Sequence, residues 1–270
     1  MTRVHAIRYA WRAGVRADHF VDDERPDDPH PTAYYVWLVV SGDHAVLVDT
    51  GMGAGADRVP GLHRGPSVAT GLRALGVSPE SVDTVVLTHL HYDHAGGVRD
   101  FPNARYLLQR SELDGLTDTW LVDPSDVDYL LGSNRLTLVD GDADVLPGVT
   151  VHHVGGHTPG TQVVRVLTAQ GHLVVASDAA HFHENISRRR PGPLTHSVPD
   201  AIRAFERVTE LADGRHLILP GHDPSPALLP AVHEPDGLDR HVTVVGQAVG
   251  SRRVERDRVA RTDAVGLEAE

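Results

Sequence analysis

The 270-residue chain contains no cysteine and no lysine, so all 25 of its basic residues are arginine. The lack of cysteine excludes disulfides, thiolate metal sites, iron–sulfur clusters and cysteine nucleophiles. The lack of lysine excludes Schiff-base chemistry. The formal net charge is -12, which disfavours a broad nucleic-acid surface because such a surface needs clustered cations.

Long apolar segments are also missing. No stretch approaches the roughly 20 apolar residues that span a bilayer, and the first 20 residues lack the continuous apolar core of a secretion signal. We therefore expect a cytoplasmic protein with no membrane and no nucleic-acid partner, either a monomer or a homodimer. We expect one catalytic domain over residues 1–246 and a tail over 247–270.

Histidine, in contrast, is abundant, with 19 copies, and it is the commonest metal ligand in proteins. The stretch THLHYDHAGG begins at residue 88 and places His89, His91, Asp93 and His94 within six positions. Residues two apart in an extended segment point the same way, so His89 and His91 can meet at one point. A following turn lets Asp93 and His94 aim at a second point. Imidazole and carboxylate ligands suit zinc.

Apolar runs separated by Gly, Pro and Asp predict alternating strands and helices. We predict strands over residues 33–40, 45–51, 84–89, 104–109, 135–139, 149–154, 161–167, 171–178 and 215–222. We predict helices over residues 67–76, after Ser78, within 110–134 and over 197–214. Two strand–turn–strand units each end in an aspartate, Asp49 and Asp178, which indicates either a duplicated half-domain or two coincidentally similar hairpins.

Three further metal-binding side chains follow predicted strands or lie in glycine-bearing turns. They are His157 in GGHTPG, Asp178 in VVASDA and His222 in LPGHDP. The carboxyl ends of strands are where α/β-type folds build their sites. Since four ligands from one loop do not complete two metal sites, we expect these three side chains to join the histidine cluster.

The motifs HLHYDH (89–94), GHTPG (156–160), SDA (177–179) and PGH (220–222) resemble, in their order, those of the metallo-β-lactamase superfamily. The resemblance runs from about residue 33 to residue 223. It implies an α+β fold, a four-layer αββα sandwich of two mixed β-sheets with helices outside. It also implies two divalent metal ions, with zinc expected first and iron, manganese or cobalt as alternatives.

The resemblance further implies a ligand set for each ion. One ion would be held by His89, His91 and His157. The other would be held by Asp93, His94 and His222. Asp178 would bridge the two ions, and Asp49 would support the metal loop without binding metal.

Within the superfamily the sequence is most similar to the N-acyl homoserine lactonase branch, through Asp93, HYDHAGG, the bridging aspartate and the long stretch before DTG (49–51). This similarity implies a quorum-quenching hydrolase that opens a lactone or related ester by attack of a metal-bridging hydroxide on the carbonyl. Asp93, Asp178 and His181 would be its catalytic residues.

One position departs from that branch, which has a tyrosine three residues after the bridging aspartate. Here the position is His181, with His183 close by. An imidazole could donate the hydrogen bond of the missing hydroxyl. Alternatively, both histidines are only polar residues at the mouth of the site.

Other members of the superfamily are weaker alternatives. Thioesterases of the glyoxalase II type share the ligand set, and iron-dependent redox members or a metal-stabilised binding module would use similar residues. True β-lactamases often carry cysteine where this chain has Asp178. Trp120, Tyr129 and Phe182 either line the substrate pocket or pack in the core. Met52 and the Gly-rich segment 51–66 form either a lid or a connector.

Overall fold

Strands account for much of the structure, a computed structural model that describes residues 2–53, 59–116 and 120–225 and the backbone of 242–245. The larger sheet has eight strands: β1 (Arg3–Arg12), β2 (Thr32–Ser41), β3 (His44–Val48), β4 (Leu62–Arg64), β5 (Thr84–Val86), β6 (Arg105–Gln109), β7 (Leu136–Val139) and β13 (Val242–Val245). Their order is β13-β1-β2-β3-β5-β6-β7, with β4 also paired to β1. The pairs from β3 to β7 are parallel and the others antiparallel, so the sheet is mixed.

The smaller sheet has five strands: β8 (Ala143–Leu146), β9 (Val149–His153), β10 (Gln162–Thr168), β11 (Gly171–Ser177) and β12 (Ile218–Pro220). Their order is β12-β11-β10-β9-β8. The pair β11–β12 is parallel, whereas the other neighbours are antiparallel. The two sheets therefore both combine parallel and antiparallel pairing, as predicted.

Within the described residues, six α-helices connect the strands: α1 (Val68–Ala74), α2 (Tyr92–Ala95), α3 (Arg110–Asp114), α4 (Pro124–Gly132), α5 (His183–Arg188) and α6 (Val198–Leu211). Short 3₁₀ turns lie at Arg16–Asp18, Pro79–Ser81, Val98–Asp100 and Arg215–Leu217. Ser197 caps α6 and accepts a hydrogen bond from the backbone N–H of Asp200, which satisfies one of the unpaired donors at a helix start.

Three buried apolar clusters separate four layers. The first lies between the sheets and contains Trp37 of β2 and Leu173 of β11. The second lies between the outer face of the larger sheet and the helices α1 and α4. It contains Leu47 of β3 and Leu72 of α1. The third packs the smaller sheet against α6, where Phe205 is buried. Because successive side chains of a strand point to opposite faces, one face of each sheet packs against the other sheet and the opposite face packs against helices. This arrangement confirms the αββα sandwich.

Most of the predicted strands form, but several are shorter than predicted. The run predicted over 84–89 ends as a strand at Val86, and the run predicted over 215–222 begins as a 3₁₀ turn. Strand β1, with the sequence RVHAIRYAWR, was not predicted because its arginines interrupt the apolar pattern. It lies inside the larger sheet, paired with β2 and β13.

The two strand–turn–strand units are antiparallel hairpins in different sheets, β2–β3 and β10–β11. Each is followed by a parallel neighbour, β5 and β12 respectively. The duplication itself stays a prediction. The predicted tail over 247–270 lies outside the described residues. In the part of the chain that the structure describes, no helix has the length and apolar character needed to cross a membrane.

We expect Leu173→Ala to lower the free energy of unfolding by about 2–5 kcal/mol, because it opens a cavity between the sheets. Leu167→Ala is the matched control, since Leu167 lies on the adjacent strand and is 49% exposed. The control should change stability by less than about 0.5 kcal/mol. Equal losses for both variants in denaturant unfolding would contradict the assignment of Leu173 to the inter-sheet core.

Candidate metal centre

The histidine cluster lies in the loop after β5 and in the short helix α2. His91 precedes the helix, and its carbonyl accepts the backbone N–H of His94 at 2.9 Å. His89, His91, Asp93 and His94 are all buried. The chain therefore turns after the first two histidines, as the spacing predicted, and directs Asp93 and His94 to a neighbouring point.

The three remaining candidates come from loops of the smaller sheet. His157 follows β9, Asp178 follows β11 directly and His222 follows β12. All three are buried. The structure thus brings the ends of strands from both sheets to one edge, where residues separated by more than a hundred positions meet.

The seven side chains form two adjacent groups. One group contains His89, His91 and His157, and the other contains Asp93, His94, Asp178 and His222; within each group the ligand atoms lie within 4.8 Å of one another. Asp178 Oδ2 lies 3.2 Å from His222 Nε2 and 3.5 Å from His157 Nε2. The carboxylate of Asp178 therefore lies between the groups, the position that the predicted bridge requires.

Several donor atoms of the two groups are buried without a partner inside the protein. Among the described residues, His89 Nε2, His94 Nε2 and Asp178 Oδ1 are buried without a hydrogen-bond partner, and such atoms are costly unless something satisfies them. Burial lowers the pKa of His89 and of His157 well below the ordinary value. Both imidazoles are therefore neutral, the form that binds metal. The residues fit a divalent ion at each point.

Asp49 supports the cluster from behind, as the resemblance implied. Its carboxylate accepts hydrogen bonds from the backbone N–H of Thr88 at 2.8 Å, from His94 Nδ1 at 2.8 Å and from Ser177 Oγ at 3.1 Å. Thr88 Oγ1 also donates to Asp49 and lies 3.1 Å from His89 Nδ1. Partners of this kind fix the orientation of ligating imidazoles.

His222 is oriented in the same way by the backbone, because its Nδ1 lies 2.9 Å from the carbonyl oxygen of Ala33. The carbonyl only accepts, so Nδ1 carries the proton and Nε2 is left for the site. The next residue back, Gly221, has no room for a side chain. A Cβ there would lie 2.3 Å from Asp178 Oδ1.

The glycines after the histidines allow two backbone segments to approach each other closely. A Cβ on Gly96 would lie 2.1 Å from the backbone nitrogen of Gly53, and a Cβ on Gly97 would lie 2.4 Å from the carbonyl oxygen of Thr50. The end of helix α2 therefore lies directly against the segment that follows Asp49.

Glu112 is a buried residue of the site that the sequence analysis missed. Its Oε1 accepts the backbone N–H of Leu90 at 3.0 Å, and its Oε2 accepts the hydroxyl of Thr158 at 2.6 Å and the backbone N–H of Gly160 at 2.9 Å. Leu90 lies between His89 and His91, whereas Thr158 follows His157. One carboxylate therefore ties together the two loops that carry the first histidine group.

His181 lies beside the two groups. Its Nε2 is 3.3 Å from Asp178 Oδ2, and its Nδ1 is 3.1 Å from Nδ1 of His19. His19 is buried and was also missed, because nothing in its local sequence distinguishes it. His183 begins helix α5 and is only partly buried. The imidazole of His181, and not that of His183, is the one placed against Asp178.

The three aromatic residues considered as a substrate wall differ in their burial. Phe182 is buried against His19 and His30, with ring centroids 4.6 and 4.3 Å apart, and therefore packs in the interior. Tyr129 packs against the outer cluster. Trp120 is 62% exposed and remains a candidate wall.

A small cavity lies beside the two groups. His157, Asp178 and His181 line it, and Pro191, Gly192 and Thr195 form another part of its wall. In the predicted lid, Met52 packs against the outer cluster, Leu62–Arg64 forms β4 and residues 54–58 lie outside the described residues.

We expect Glu112→Leu to lower the free energy of unfolding by about 2–5 kcal/mol, because three buried donors lose their acceptor. We also expect weaker binding of one metal ion, since the loops that carry His89, His91 and His157 lose their connection. Denaturant unfolding and metal analysis after dialysis measure the two effects. Glu206→Leu, at a residue whose side chain is 51% exposed, is the control. Wild-type metal content and stability in Glu112→Leu would contradict this role.

This chain is similar in sequence to known N-acyl homoserine lactonases and in fold to solved structures. An N-acyl homoserine lactonase from a Bacillus species is 29% identical over 207 residues, which cover 70% of this chain and 80% of that protein. The structure of an N-acyl homoserine lactone hydrolase with the product N-hexanoyl-L-homoserine matches with a TM-score of 0.69 at 22% identity, over 82% of this chain and 93% of its own. AidC, a dizinc quorum-quenching lactonase, matches with a TM-score of 0.67 at 19% identity, over 92% and 95%.

The family of this chain is shown by a match to a family profile. The profile of the metallo-beta-lactamase superfamily matches residues 31–222, from the start of β2 to the last candidate ligand. The solved structures have the same fold at low sequence identity. The chain belongs to the metallo-beta-lactamase superfamily.

Proposed function

We propose that this protein is a metal-dependent hydrolase that opens a lactone ring with two divalent ions. The observation that carries the proposal is the convergence of seven buried donor side chains on two adjacent points, with Asp178 between them. A closed structural zinc site needs four ligands, so two adjacent groups are better suited to chemistry. The names of the relatives favour a lactone as the substrate.

His89, His91 and His157 would hold one ion, Asp93, His94 and His222 the other, and Asp178 would bridge them. Zinc is our first expectation, because neutral imidazoles and carboxylates suit it and because AidC is described as dizinc. Iron, manganese and cobalt can use the same ligands. The carbonyl oxygen of Asp93 accepts the hydroxyl of Tyr9 at 2.7 Å, which fixes the backbone of this ligand.

When bound, the two ions would supply a hydroxide near neutral pH and polarise the substrate carbonyl. The chain's own groups would do the rest. Asp178 lies between the two groups, where its carboxylate can orient the attacking oxygen, take up its proton and return a proton to the leaving oxygen. His181, beside Asp178, can donate a hydrogen bond to the substrate carbonyl or ring oxygen. In a lactone the leaving oxygen stays attached to the product.

The proposal is tested by a substrate screen on the zinc-loaded protein. Proton release would be followed with N-hexanoyl homoserine lactone, a simple lactone, a thioester, a β-lactam and a simple ester. We expect the lactones to be hydrolysed fastest, and activity on acyl homoserine lactones would make the protein a quorum-quenching enzyme. Proton release with thioesters alone would overturn the proposal in favour of a thioesterase. Iron and visible colour in the purified protein, together with no hydrolysis of any of these substrates, would point instead to a redox member.

We expect Asp178→Ala to lose bound metal, because the residue common to both groups is removed. Metal analysis after dialysis should give clearly less than the wild-type ratio of ions to chain, and activity should fall with it. Asp213→Ala is the control, since Asp213 is an exposed aspartate paired with His172. Full metal occupancy in Asp178→Ala would refute the bridge.

We expect His181→Ala to lower turnover by about 10²-fold, the loss typical of one hydrogen-bond donor to a developing oxyanion. Its metal content should stay near that of the wild type, because neither proposed ion depends on it. Steady-state kinetics with a lactone and metal analysis measure both quantities. His216→Ala, at an exposed histidine, is the control. Unchanged turnover would show that His181 is only a polar residue at the mouth.

A further inference from the structure

A second histidine, far away in sequence, contacts His181. His19 lies in the segment between β1 and β2, is 3% exposed and is 162 positions from His181. Both of its ring nitrogens are engaged: Nδ1 lies 3.1 Å from His181 Nδ1, and Nε2 lies 2.8 Å from Thr32 Oγ1. Its carbonyl oxygen accepts Asn185 Nδ2 at 2.9 Å. The His19 ring is therefore fixed in place behind His181.

The hydrogen bond between two imidazole nitrogens restricts where the protons can be. One of the two nitrogens must carry a hydrogen and the other must not. His181 Nε2 lies 3.3 Å from Asp178 Oδ2, and a carboxylate only accepts. His222 Nε2 lies 3.2 Å from the same oxygen, but the single proton of a neutral His222 is on Nδ1, against the carbonyl oxygen of Ala33. In a neutral His181 the proton is therefore on Nε2, which leaves Nδ1 as an acceptor.

The rest of the chain of hydrogen bonds then follows. His19 donates from Nδ1 to His181, so its own Nε2 accepts, and the Thr32 hydroxyl donates to it. Burial, reinforced by His181 and His222, holds the pKa of His19 far below its ordinary value, and a neutral ring has a single proton to place. Each donor in the series Thr32, His19, His181 thus has one acceptor.

We propose that His19 is a positioning residue that holds His181 with its proton on Nε2, so that the N–H that faces Asp178 can also be shared with a substrate oxygen. The role in catalysis rests on the proposed function, whereas the proton position does not. His19 has no contact with the substrate in this proposal. It acts only by setting which nitrogen of His181 faces the site.

The same contact keeps His181 from becoming a metal ligand. The ligand atoms of His157, Asp178 and His181 lie within 4.8 Å of one another, so a His181 with a bare Nε2 could bind an ion. A nitrogen that carries a proton has no lone pair to offer. Without the donor at His19, the proton of His181 could move to Nδ1, and the imidazole could turn from a hydrogen-bond donor into a ligand.

The proton position can be tested without a substrate. The full-length zinc-loaded protein, labelled with ¹⁵N in its histidine rings, would be compared with His181→Tyr to identify the His181 signals. We expect a protonated Nε2 and a bare Nδ1 in the wild type. In His19→Leu we expect that pattern to be lost. A proton on Nδ1 alone, on both nitrogens, or a pattern unchanged in His19→Leu would overturn the proposal.

Kinetics test the consequence with a matched pair of variants. His19→Asn keeps an N–H donor near the position of Nδ1, whereas His19→Leu has a similar volume and no donor. With a lactone we expect His19→Leu to lower kcat by about tenfold, the equivalent of one buried hydrogen bond, with a smaller change in KM. His19→Asn should recover most of that loss. Equal losses in both variants would indicate a structural role and contradict the proposal.

A second background separates coupling from misfolding. In His181→Tyr the hydroxyl needs no tautomer, so His19→Leu should have little further effect on kcat there. A tenfold loss in that background as well would also overturn the proposal. If the wild type hydrolyses no lactone, the proposed function fails, and the ¹⁵N experiment still decides the position of the proton.

Discussion

The carboxylate of Asp49 is the interaction on which the site depends, because it connects the two sheets at the edge where the ligands meet. It binds Thr88 and His94 in the loop system of the larger sheet and Ser177 at the end of β11 in the smaller one. Asp49 has a φ of 64° and Ser177 a φ of 45°, a region that costs free energy for residues other than glycine. Both strands thus end in a strained turn, which the hydrogen bonds to Asp49 hold in place.

The residues that bind through their own chemistry were visible in the sequence, whereas those that act through a tertiary contact were not. Histidine and aspartate at fixed spacing after apolar runs identified all seven side chains that the structure brings together. Glu112 looks like an ordinary polar residue of a short helix, and only the fold buries it against Leu90, Thr158 and Gly160. His19 gains its significance only because β1 and β2 carry the intervening segment to His181. Strand β1 was not predicted because Arg3, Arg8 and Arg12 interrupt its apolar pattern. In the sheet it nevertheless lies between two other strands, β13 and β2.

Two buried carboxylates, Asp49 and Glu112, stabilise different parts of the site. Asp49 orients His94 and, through Thr88, lies behind His89, while Glu112 joins the loops on either side of His91 and His157. Neither carboxylate belongs to the two groups of ligand atoms. Their hydrogen bonds are made to groups of the protein itself. The two carboxylates therefore hold in place the loops that carry the ligand nitrogens.

The partner of Nδ1 separates the proposed ligands His89, His94 and His222 from His181, whereas Nδ1 of His91 lies 3.0 Å from Nε2 of His157 within the first group. His94 and His222 place Nδ1 against the acceptors Asp49 and Ala33, so Nδ1 carries the proton and Nε2 keeps its lone pair. His89 places Nδ1 against the hydroxyl of Thr88, whose own hydrogen is given to Asp49, so the same rule holds. His181 places Nδ1 against another imidazole nitrogen. In our proposal His19 donates at that position, which reverses the tautomer of His181. Histidines that share one site can therefore serve either as ligands or as a hydrogen-bond donor, according to whether the group behind Nδ1 accepts or donates a proton.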